Sequence, residues 1–276
     1  MLDDVRAALR RHRPDLAGAE PAPLGAGLDN VAFAAGDLVL RRSRSDDGSA
    51  RREAALLTAV AAVSSLPVPE PVFVDEATGI LAYRRLPGAP LLFHPVPAPD
   101  ALAGPLAEFL TGLHDGGSAL SALVEVDDTP CAEWLADAAA SYETAAAAVP
   151  AGDRRRIEAF LAAPPPGPPR RLTFCHADLG AEHVLVDGAA ITGVIDWTDA
   201  AIADPAVDFA RLYRDLGPDV AERIAARYGG DAAAADPERV AFYARCALLE
   251  DLEFGVTTGA TTYLRAALAH LDHTFG

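Results

Sequence analysis

Two histidines and two aspartates lie close together in the stretch LTFCHADLGAEHVLVDGAAITGVIDWTDAAIADP, in the second half of the chain. His176, Asp178 and His183 fall in HADLGAEH, between two apolar runs that predict short strands, and Asp196 follows a third such run. Loops positioned by strands are common places for functional groups. Phosphoryl transfer needs such a set, because one carboxylate orients the attacking hydroxyl while another carboxylate and a neutral ligand hold the divalent cation.

Other interpretations of these residues fit the rest of the chain less well. An isolated aspartate in a loop usually closes a turn, but here two aspartates and two histidines are in register. His176, Asp178 and His183 are residue types that could also bind zinc for hydrolysis. The remaining sequence does not indicate a zinc hydrolase. Cys175 and His176 are neighbours on a strand and point to opposite faces, so we expect Cys175 in the core and not as a nucleophile.

The stretch resembles the catalytic loop of the aminoglycoside phosphotransferase family, whose fold is similar to that of protein kinases. The motif of that family is HGDxxxxN followed by a strand that ends in ID, and this chain has HAD, a histidine at the asparagine position, and then IDW. The resemblance implies that Asp178 is the catalytic aspartate and that His183 and Asp196 bind Mg²⁺. It also implies supporting roles for His176, which would orient the loop, and for Asp208, which would begin a helix and brace it.

The chain departs from the family motif at two positions, and each departure leads to a separate prediction. Ala177 replaces the usual glycine, which predicts that the backbone there does not need a positive φ. His183 replaces asparagine, as in the macrolide phosphotransferases and in one subgroup of aminoglycoside kinases that this chain resembles most in its motifs. A neutral imidazole nitrogen can bind Mg²⁺, although a softer metal suits it better.

The resemblance places the nucleotide site in the N-terminal part of the chain. Arg41 ends a strand where kinases carry a lysine, and alternation along the strand puts Val39 and Arg41, rather than Arg42, on the nucleotide side. Glu53 in the next predicted helix is placed to pair with Arg41. Tyr83 is expected at the back of the pocket for the nucleotide base. A bulky side chain there would prevent adenine from binding deeply, which favours GTP over ATP. The other candidates are Gly25, Gly27 and Asn30 in the turn over the phosphates, and the backbones of Arg84 and Leu86 for the base.

In that family the acceptor binds against helices of the large lobe. Carboxylates lining a cleft would hold an amine-bearing antibiotic, which suits a chain with a formal net charge of −17. All 23 basic residues are arginine, so a fixed cation at the site must be arginine or a metal. An exposed acidic helix face is an equally good explanation of the acids near position 250. The candidates are Asp199, Asp204, Glu250, Asp251 and Glu253.

The elements that must position these groups predict an α+β, two-lobed, protein-kinase-like fold. VAFAA and DLVLRR predict one strand pair, PVFVDE and GILAYRRL predict another, and a helix is expected over residues 50–63. With a first strand near residues 22–25 they form a small nucleotide-binding lobe, residues 1–87. Proline-rich LPGAPLLFHPVPAP predicts the hinge. Residues 88–276, mostly helical, would then form the catalytic and substrate-binding lobe.

Composition excludes several classes of partner and environment. The excess of 40 acidic over 23 basic residues disfavours nucleic acid and anionic membranes as partners. Three cysteines, far apart and odd in number, disfavour a disulfide framework, and the chain shows neither a signal peptide nor a charge-free apolar run long enough to span a membrane. We therefore expect a cytoplasmic protein, as a monomer or weak dimer.

These observations lead to one functional hypothesis with two alternatives. The chain is expected to be an enzyme, a nucleoside-triphosphate-dependent O-phosphotransferase that moves the γ-phosphate of GTP or ATP, with Mg²⁺, to a hydroxyl of a small cationic antibiotic of the aminoglycoside or macrolide type and so gives resistance. The first alternative is a metabolite kinase acting on choline, homoserine or a fructosamine. The second is a pseudokinase that binds nucleotide and serves as an interaction module. The sequence does not distinguish the acceptor, the hydroxyl or the oligomeric state.

Overall fold

The computed structural model describes residues 1–26, 30–43, 49–116 and 120–276. An antiparallel sheet forms in the N-terminal part, with the strands in the spatial order β1-β2-β3-β5-β4. Its hairpins turn where the sequence has glycine, and Gly36 and Gly79 adopt φ values of 60° and 64°, which a side chain would disfavour. The strands are β1 (Ala22–Ala26), β2 (Asn30–Ala35), β3 (Leu38–Ser43), β4 (Pro71–Asp75) and β5 (Ile80–Arg84).

Alternation along β3 and β5 gives this sheet two different faces. On one face, Leu40 and Ile80 pack with Leu9 of helix α1, Leu2–His12, in a small apolar cluster. On the other, Leu81 joins the larger core, which is shared with helix α2, Ser49–Ala61. Arg41 lies opposite Leu81 in the register and so faces the same side as α2. Because side chains alternate along the strand, Arg41 is the charged side chain of β3 that points to the side of the sheet that carries α2.

The remainder of the chain is mostly helical. The longest helix carries buried residues all along its length and packs against three neighbouring helices, so it forms the centre of this part. Asp236 caps its first turn by accepting hydrogen bonds from two backbone N–H groups. The helices are α3 (Ala103–Asp115), α4 (Cys131–Ala145), α5 (Ala151–Leu161), α6 (Ala206–Leu216), α7 (Pro218–Arg227), α8 (Pro237–Thr258) and α9 (Thr261–Phe275).

Two small antiparallel sheets form outside the five-stranded sheet. One has the order β6-β8-β9 and the other pairs β7 with β10. Strand β6 lies inside the segment predicted as a plain hinge, and β10 was not predicted, because runs this short show no periodicity. The strands are β6 (Ala89–Pro90), β7 (Thr173–Cys175), β8 (Val184–Asp187), β9 (Ala190–Val194) and β10 (Ala201–Ala203).

The predicted fold class is confirmed by this arrangement. A sheet with one flanking helix on its inner side precedes a larger helical part, as the hydrophobic pattern indicated. The division at residues 87 and 88 stays a prediction, and the apolar core crosses it, since Leu57 and Leu81 belong to the same cluster as Phe109 and Phe174. Within the described ranges, every helix is too short or too polar to cross a membrane.

Candidate active site

The loop between β7 and β8 carries the histidine–aspartate motif, and buried His176 anchors it. The backbone N–H of Asp178 donates to Nδ1 of His176 at 3.3 Å, and Nε2–H of His176 donates to the carbonyl oxygen of Ile195 at 3.1 Å. This pattern requires the neutral ring with its proton on Nε2. Burial, reinforced by nearby His183, lowers the pKa of His176. His176 thus ties the loop to the end of β9, in the place where a supporting residue was expected.

Asp208 holds the start of the same loop from the first turn of α6. Its fully buried carboxylate accepts hydrogen bonds from the backbone N–H groups of His176, at 3.1 Å, and Ala177, at 2.8 Å. It also contacts Nε2 of buried His114 at 3.1 Å. A carboxylate that satisfies successive backbone donors makes the loop rigid, because each donor would otherwise be buried without a partner.

The prediction that Ala177 needs no positive φ is wrong. Its φ is 65°, in the left-handed region where glycine is favoured. The contact of its N–H with Asp208 holds this conformation despite the methyl group. Asp196 also has a positive φ, of 62°. Both strained residues therefore lie at the candidate site, where a surrounding network can maintain such conformations.

His183 lies between the two aspartates of the motif. Its Nδ1–H donates to the carbonyl oxygen of Asp178 at 2.7 Å, which leaves Nε2 as the free lone pair, 3.8 Å from Oδ2 of Asp196. Burial lowers the pKa of His183, but Asp178, Glu182 and Asp196 outweigh burial and raise it overall. Burial likewise opposes ionisation of Asp196, while Arg41 and His183 lower its pKa to about 2.

These atoms form a donor set that fits a divalent cation. An imidazole nitrogen and an ionised carboxylate face each other across a gap of a few ångströms, and oxygen ligands suit Mg²⁺. Asp178, Glu182 and His183 also present ligand atoms within 4.8 Å of one another. Glu182 was not a sequence candidate, since glutamate at that position is not part of the motif.

Arg41 reaches this group from the other part of the molecule. Its Nη1 donates to Oε1 of Glu53 at 2.6 Å, and its Nη2 donates to Oδ1 of Asp196 at 2.9 Å and also contacts Thr198. Arg42 points the opposite way and pairs with Asp4. The guanidinium of Arg41 is nearly buried, so it is held by two carboxylates in a place of low dielectric.

The other nucleotide candidates differ in how close they lie to Arg41 and in which groups they leave available. Tyr83 lies on β5 near Arg41 and Glu53, and burial raises the pKa of its hydroxyl. The N–H of Arg84 donates to Glu70, so Arg84 could contribute only its carbonyl oxygen to a base. Asn30 lines a cavity next to Glu53, whereas a side chain at Gly25 would meet open space. Gly27 lies outside the described residues.

A cleft of about 700 Å³ opens beside Asp178, between the catalytic loop and helices α6, α8 and α9. The structure brings four of the five acceptor candidates to its wall. The carboxylates that line it are Asp127, Asp178, Glu182, Asp199, Glu250, Asp251 and Glu253.

The fifth acceptor candidate, Asp204, is not in this cleft. Its carboxylate pairs with Arg239, with Nε at 2.9 Å, and accepts a hydrogen bond from the N–H of Ala206 at the start of α6. Asp204 is nearly buried and therefore caps a helix and closes an ion pair. A carboxylate before a helix serves as a cap more often than as a ligand, and the sequence DPAVDFA carried that signal.

Two arginines of α6 enter the site and were missed by sequence reasoning. Nε of Arg211 lies 3.0 Å from Oδ1 of Asp178, and its Nη2 lies 3.5 Å from Glu250. Burial opposes ionisation of Asp178, but Arg211 lowers its pKa below the ordinary value of 3.8. The carboxylate beside the cleft is thus ionised at neutral pH.

Arg214, one turn further along α6, is buried among three carboxylates. Its Nε contacts Asp215 at 2.6 Å, its Nη1 contacts Asp251 at 2.9 Å and its Nη2 contacts Glu182 at 3.5 Å. Because one cation faces three acids, burial together with Glu182 and Asp215 raises the pKa of Asp251 to about 7. Two arginines three residues apart in ARLYRD share one helix face, which is the signal that could have found them.

The comparison with protein-family models decides the family. Residues 19–243 match the model described as the phosphotransferase enzyme family, APH. The chain belongs to this family. Viomycin phosphotransferase of Streptomyces vinaceus is 32% identical to it over 184 residues, which are 62% of this chain and 64% of that protein. The chain therefore matches less than two thirds of that relative's length.

Solved structures of phosphotransferases share the fold over nearly the whole chain. The GDP and kanamycin complex of APH(2'')-IIIa has a TM-score of 0.71 at 23% identity, covering 98% of both chains. The macrolide 2'-phosphotransferase MphH of Brachybacterium faecium has a TM-score of 0.64 at 28% identity, also covering 98% of both chains. The family resemblance and the kinase-like fold expected from the motif are confirmed.

Proposed function

We propose that this protein transfers the γ-phosphoryl group of GTP or ATP to a hydroxyl group of a cationic antibiotic, with viomycin as the first acceptor to test. The observation that carries the proposal is the series of contacts that runs from Asp178 through His183 and Asp196 to Arg41, beside an acidic cleft that Asp178 and His183 line. The name of the relative, viomycin phosphotransferase, supports the choice of acceptor.

Asp178 is the residue that would orient the acceptor. Its Oδ1 is held by Arg211 at 3.0 Å, so the carboxylate has one preferred direction and can accept a hydrogen bond from the attacking hydroxyl. Because its pKa is low, Asp178 positions the hydroxyl and takes the proton only as the new bond to phosphorus forms. Positioning and electrostatic stabilisation supply most of the rate in this kind of reaction.

Residues from both parts of the molecule are proposed to bind the nucleotide phosphates and Mg²⁺. Arg41, kept in place by Glu53, is proposed to bind the phosphate oxygens as a fixed cation. Nε2 of His183 and the carboxylate of Asp196 are proposed to hold Mg²⁺, which when bound offsets the charge of the phosphates. Release of Asp196 from Arg41 would free a carboxylate oxygen for this purpose.

The choice between nucleotides rests on Tyr83. Tyr83 is near Arg41 and Glu53, and we propose that its ring would narrow the back of the base pocket and so favour GTP. Related structures contain either guanine or adenine nucleotides, since one is a complex with GDP and another is a complex with ATP. Residues 1–87 are the proposed nucleotide-binding lobe and residues 88–276 the proposed catalytic lobe.

The acceptor is proposed to bind by its cationic groups. Asp199, Glu250, Asp251 and Glu253 line the cleft beside Asp178, and a multiply charged amine would be attracted to them. Arg211 and Arg214 neutralise part of this charge, but the carboxylates that line the cleft outnumber these arginines, so a ligand with several cationic groups is proposed.

The test is incubation of the protein with Mg²⁺, GTP or ATP, and a panel of viomycin, kanamycin and a macrolide, with mass spectrometry of the products. We expect one compound to gain a single phosphoryl group. Asp178→Asn should lower the rate by about 10²- to 10⁴-fold. Asp187→Asn is the matched control, because Asp187 is an exposed aspartate at the end of β8. Nucleotide binding without any product would contradict the antibiotic proposal and favour a metabolite kinase or a binding module.

A further inference from the structure

Three aromatic side chains meet at the rim of the acidic cleft. The ring of Tyr263 lies edge-to-face with Phe254, with centroids 5.1 Å apart, and with Phe93, with centroids 6.5 Å apart. Phe254 and Tyr263 line the cleft that contains Asp178. We call these three residues the aromatic ledge.

The aromatic ledge is exposed although large aromatic side chains are usually covered. Phe93 is 49% exposed and Phe254 is 38% exposed, so each offers part of a ring to solvent, Phe254 in the wall of the cleft and Phe93 beside Tyr263. A ring that is only partly buried loses much of the stabilisation that full burial would give. Exposed aromatic side chains beside a cleft commonly mark a binding surface.

The aromatic ledge combines residues from three separate parts of the chain, and contacts with neighbouring segments hold these parts together. Phe93 follows a segment tied to the catalytic loop, since the N–H of Leu92 donates to the carbonyl oxygen of Ala181 at 3.0 Å. Gly255, next to Phe254, lets the first turn of α9 approach α8, because a Cβ there would lie 2.7 Å from Cβ of Leu264. A glycine inside a helix is less favourable than alanine, and here it allows Tyr263 to contact Phe254.

The ledge and the cleft carboxylates share one surface. Glu250 and Asp251 precede Phe254 on α8 by four and three residues, which places them on the same helix face. Burial and the nearby carboxylates of Glu182 and Asp251 raise the pKa of Tyr263 to about 12, so its hydroxyl stays neutral and can donate toward them. Ring faces bordered by carboxylates are the surroundings that attract a cation.

We propose that the aromatic ledge binds a flat, delocalised cationic group of the acceptor, of the guanidinium type, and so selects among cationic acceptors. This inference rests on the proposed function, because it names a binding subsite of the same cleft. A guanidinium is planar and weakly hydrated, so it stacks on aromatic rings while it hydrogen-bonds to carboxylates. An ammonium group is more strongly hydrated and gains less from a ring face.

The first test needs no turnover. Ligand-observed saturation-transfer NMR would compare agmatine, which carries a guanidinium, with 1,4-diaminobutane, which carries an ammonium at the same end. We expect wild-type protein to saturate agmatine more strongly. Phe254→Leu, which keeps an apolar side chain but removes the ring, should lower the agmatine signal at least about 3-fold, as expected for loss of a cation–π contact. Val256→Ala changes another exposed apolar residue of α8 and should behave like wild type.

The second test measures selection during catalysis. With viomycin as acceptor, Phe254→Leu and Phe93→Leu should each raise the KM for the acceptor about 3- to 30-fold. The KM for the nucleotide should change less than about 2-fold, because the ledge lies away from Arg41.

The outcomes separate the two proposals. An equal agmatine signal in wild type and Phe254→Leu, or equal signals from agmatine and 1,4-diaminobutane, would overturn the ledge. Loss of the agmatine signal in Phe254→Leu would support it even if no antibiotic is phosphorylated, in which case only the proposed function fails.

Discussion

At the scale of single residues, the candidate site depends on two left-handed backbone positions. Ala177 and Asp196, with φ of 65° and 62°, flank the group formed by Asp178 and His183. Each is held by side-chain contacts, from Asp208 to the N–H of Ala177 and from Arg41 to the carboxylate of Asp196. An aspartate adopts this conformation more readily than an alanine does, so the larger strain falls on Ala177.

A glycine at position 177 should therefore stabilise the protein. A left-handed conformation costs an ordinary residue about 1–2 kcal/mol, whereas the extra unfolded-state entropy of glycine costs about 0.5–1 kcal/mol. We expect Ala177→Gly to raise the free energy of unfolding by up to about 1 kcal/mol, and Ala177→Val to lower it by more than about 1 kcal/mol. Urea denaturation measures both.

Ala181→Gly is the control for this prediction. Ala181 is in the same loop, its φ is not positive and its N–H also donates to a carboxylate, that of Asp215. Glycine there relieves no strain and should destabilise. If Ala177→Gly and Ala181→Gly destabilise equally, the backbone at position 177 is not strained in solution.

At the scale of elements, helix α6 organises the site. Asp208, Arg211 and Arg214 follow one another at intervals of three residues and reach the start of the catalytic loop, Asp178 and Asp251 in turn. Asp215 adds a hydrogen bond from the N–H of Ala181 at 2.6 Å. One helix thus joins the loop that carries Asp178 to α8, which lines part of the cleft.

The ion group around Arg214 predicts a pH dependence of stability. Asp251 titrates near its ordinary value of 3.8 when unfolded and at about 7 when folded. Between these values the folded protein holds a proton that the unfolded chain releases, so this stabilising contribution is complete below pH 3.8 and is lost as the pH rises to about 7.

Asp251→Asn should remove this dependence, because asparagine resembles the protonated acid at every pH. Urea unfolding at pH 5 and pH 8 should show a fall in wild-type stability that is larger by about 1–3 kcal/mol than the fall in Asp251→Asn. Asp187→Asn, at an exposed position, should keep the wild-type difference. Identical differences in all three proteins would mean that Asp251 is ionised in the folded state across this range.

For the molecule as a whole, one arginine links the N-terminal sheet to the candidate site in the helical part. Arg41 lies on β3 of the N-terminal sheet, and its partner Asp196 lies 155 positions later in the chain. The apolar core also continues across the junction, from Leu57 and Leu81 to Phe109. The geometry of the site therefore depends on how the two parts pack and not on either alone.

This arrangement predicts a metal-dependent stabilisation by nucleotide. At a nucleotide concentration near 100 times Kd, GTP with Mg²⁺ should stabilise the folded state by about 2.7 kcal/mol and raise Tm by several degrees. Asp196→Asn should lose the part of the shift that depends on Mg²⁺, whereas Asp187→Asn should keep it. Thermal unfolding with nucleotide, with and without Mg²⁺, measures this. An unchanged Mg²⁺-dependent shift in Asp196→Asn would exclude Asp196 as a metal ligand.

Features that lie within short stretches of the chain could be predicted from the amino-acid sequence. The motif residues Asp178, His183 and Asp196 stand at family spacing, the hairpins turn at Gly36 and Gly79, and the helices follow the apolar periodicity. These signals are local, because hydrogen-bonding and side-chain periods repeat within a few residues. They were sufficient to predict the family, the fold class and most of the elements.

The pairing of charged side chains became visible only in the folded protein. The sequence before α6 indicates a helix cap at Asp204, but it does not show that Asp204 pairs with Arg239 of α8, nor that the arginines of α6 contact Asp178 and Asp251. The strain at Ala177 likewise depends on Asp208, which is 31 positions away. The role of a charged side chain is set by its partner in space, and the residues adjacent to it in sequence do not contain that information.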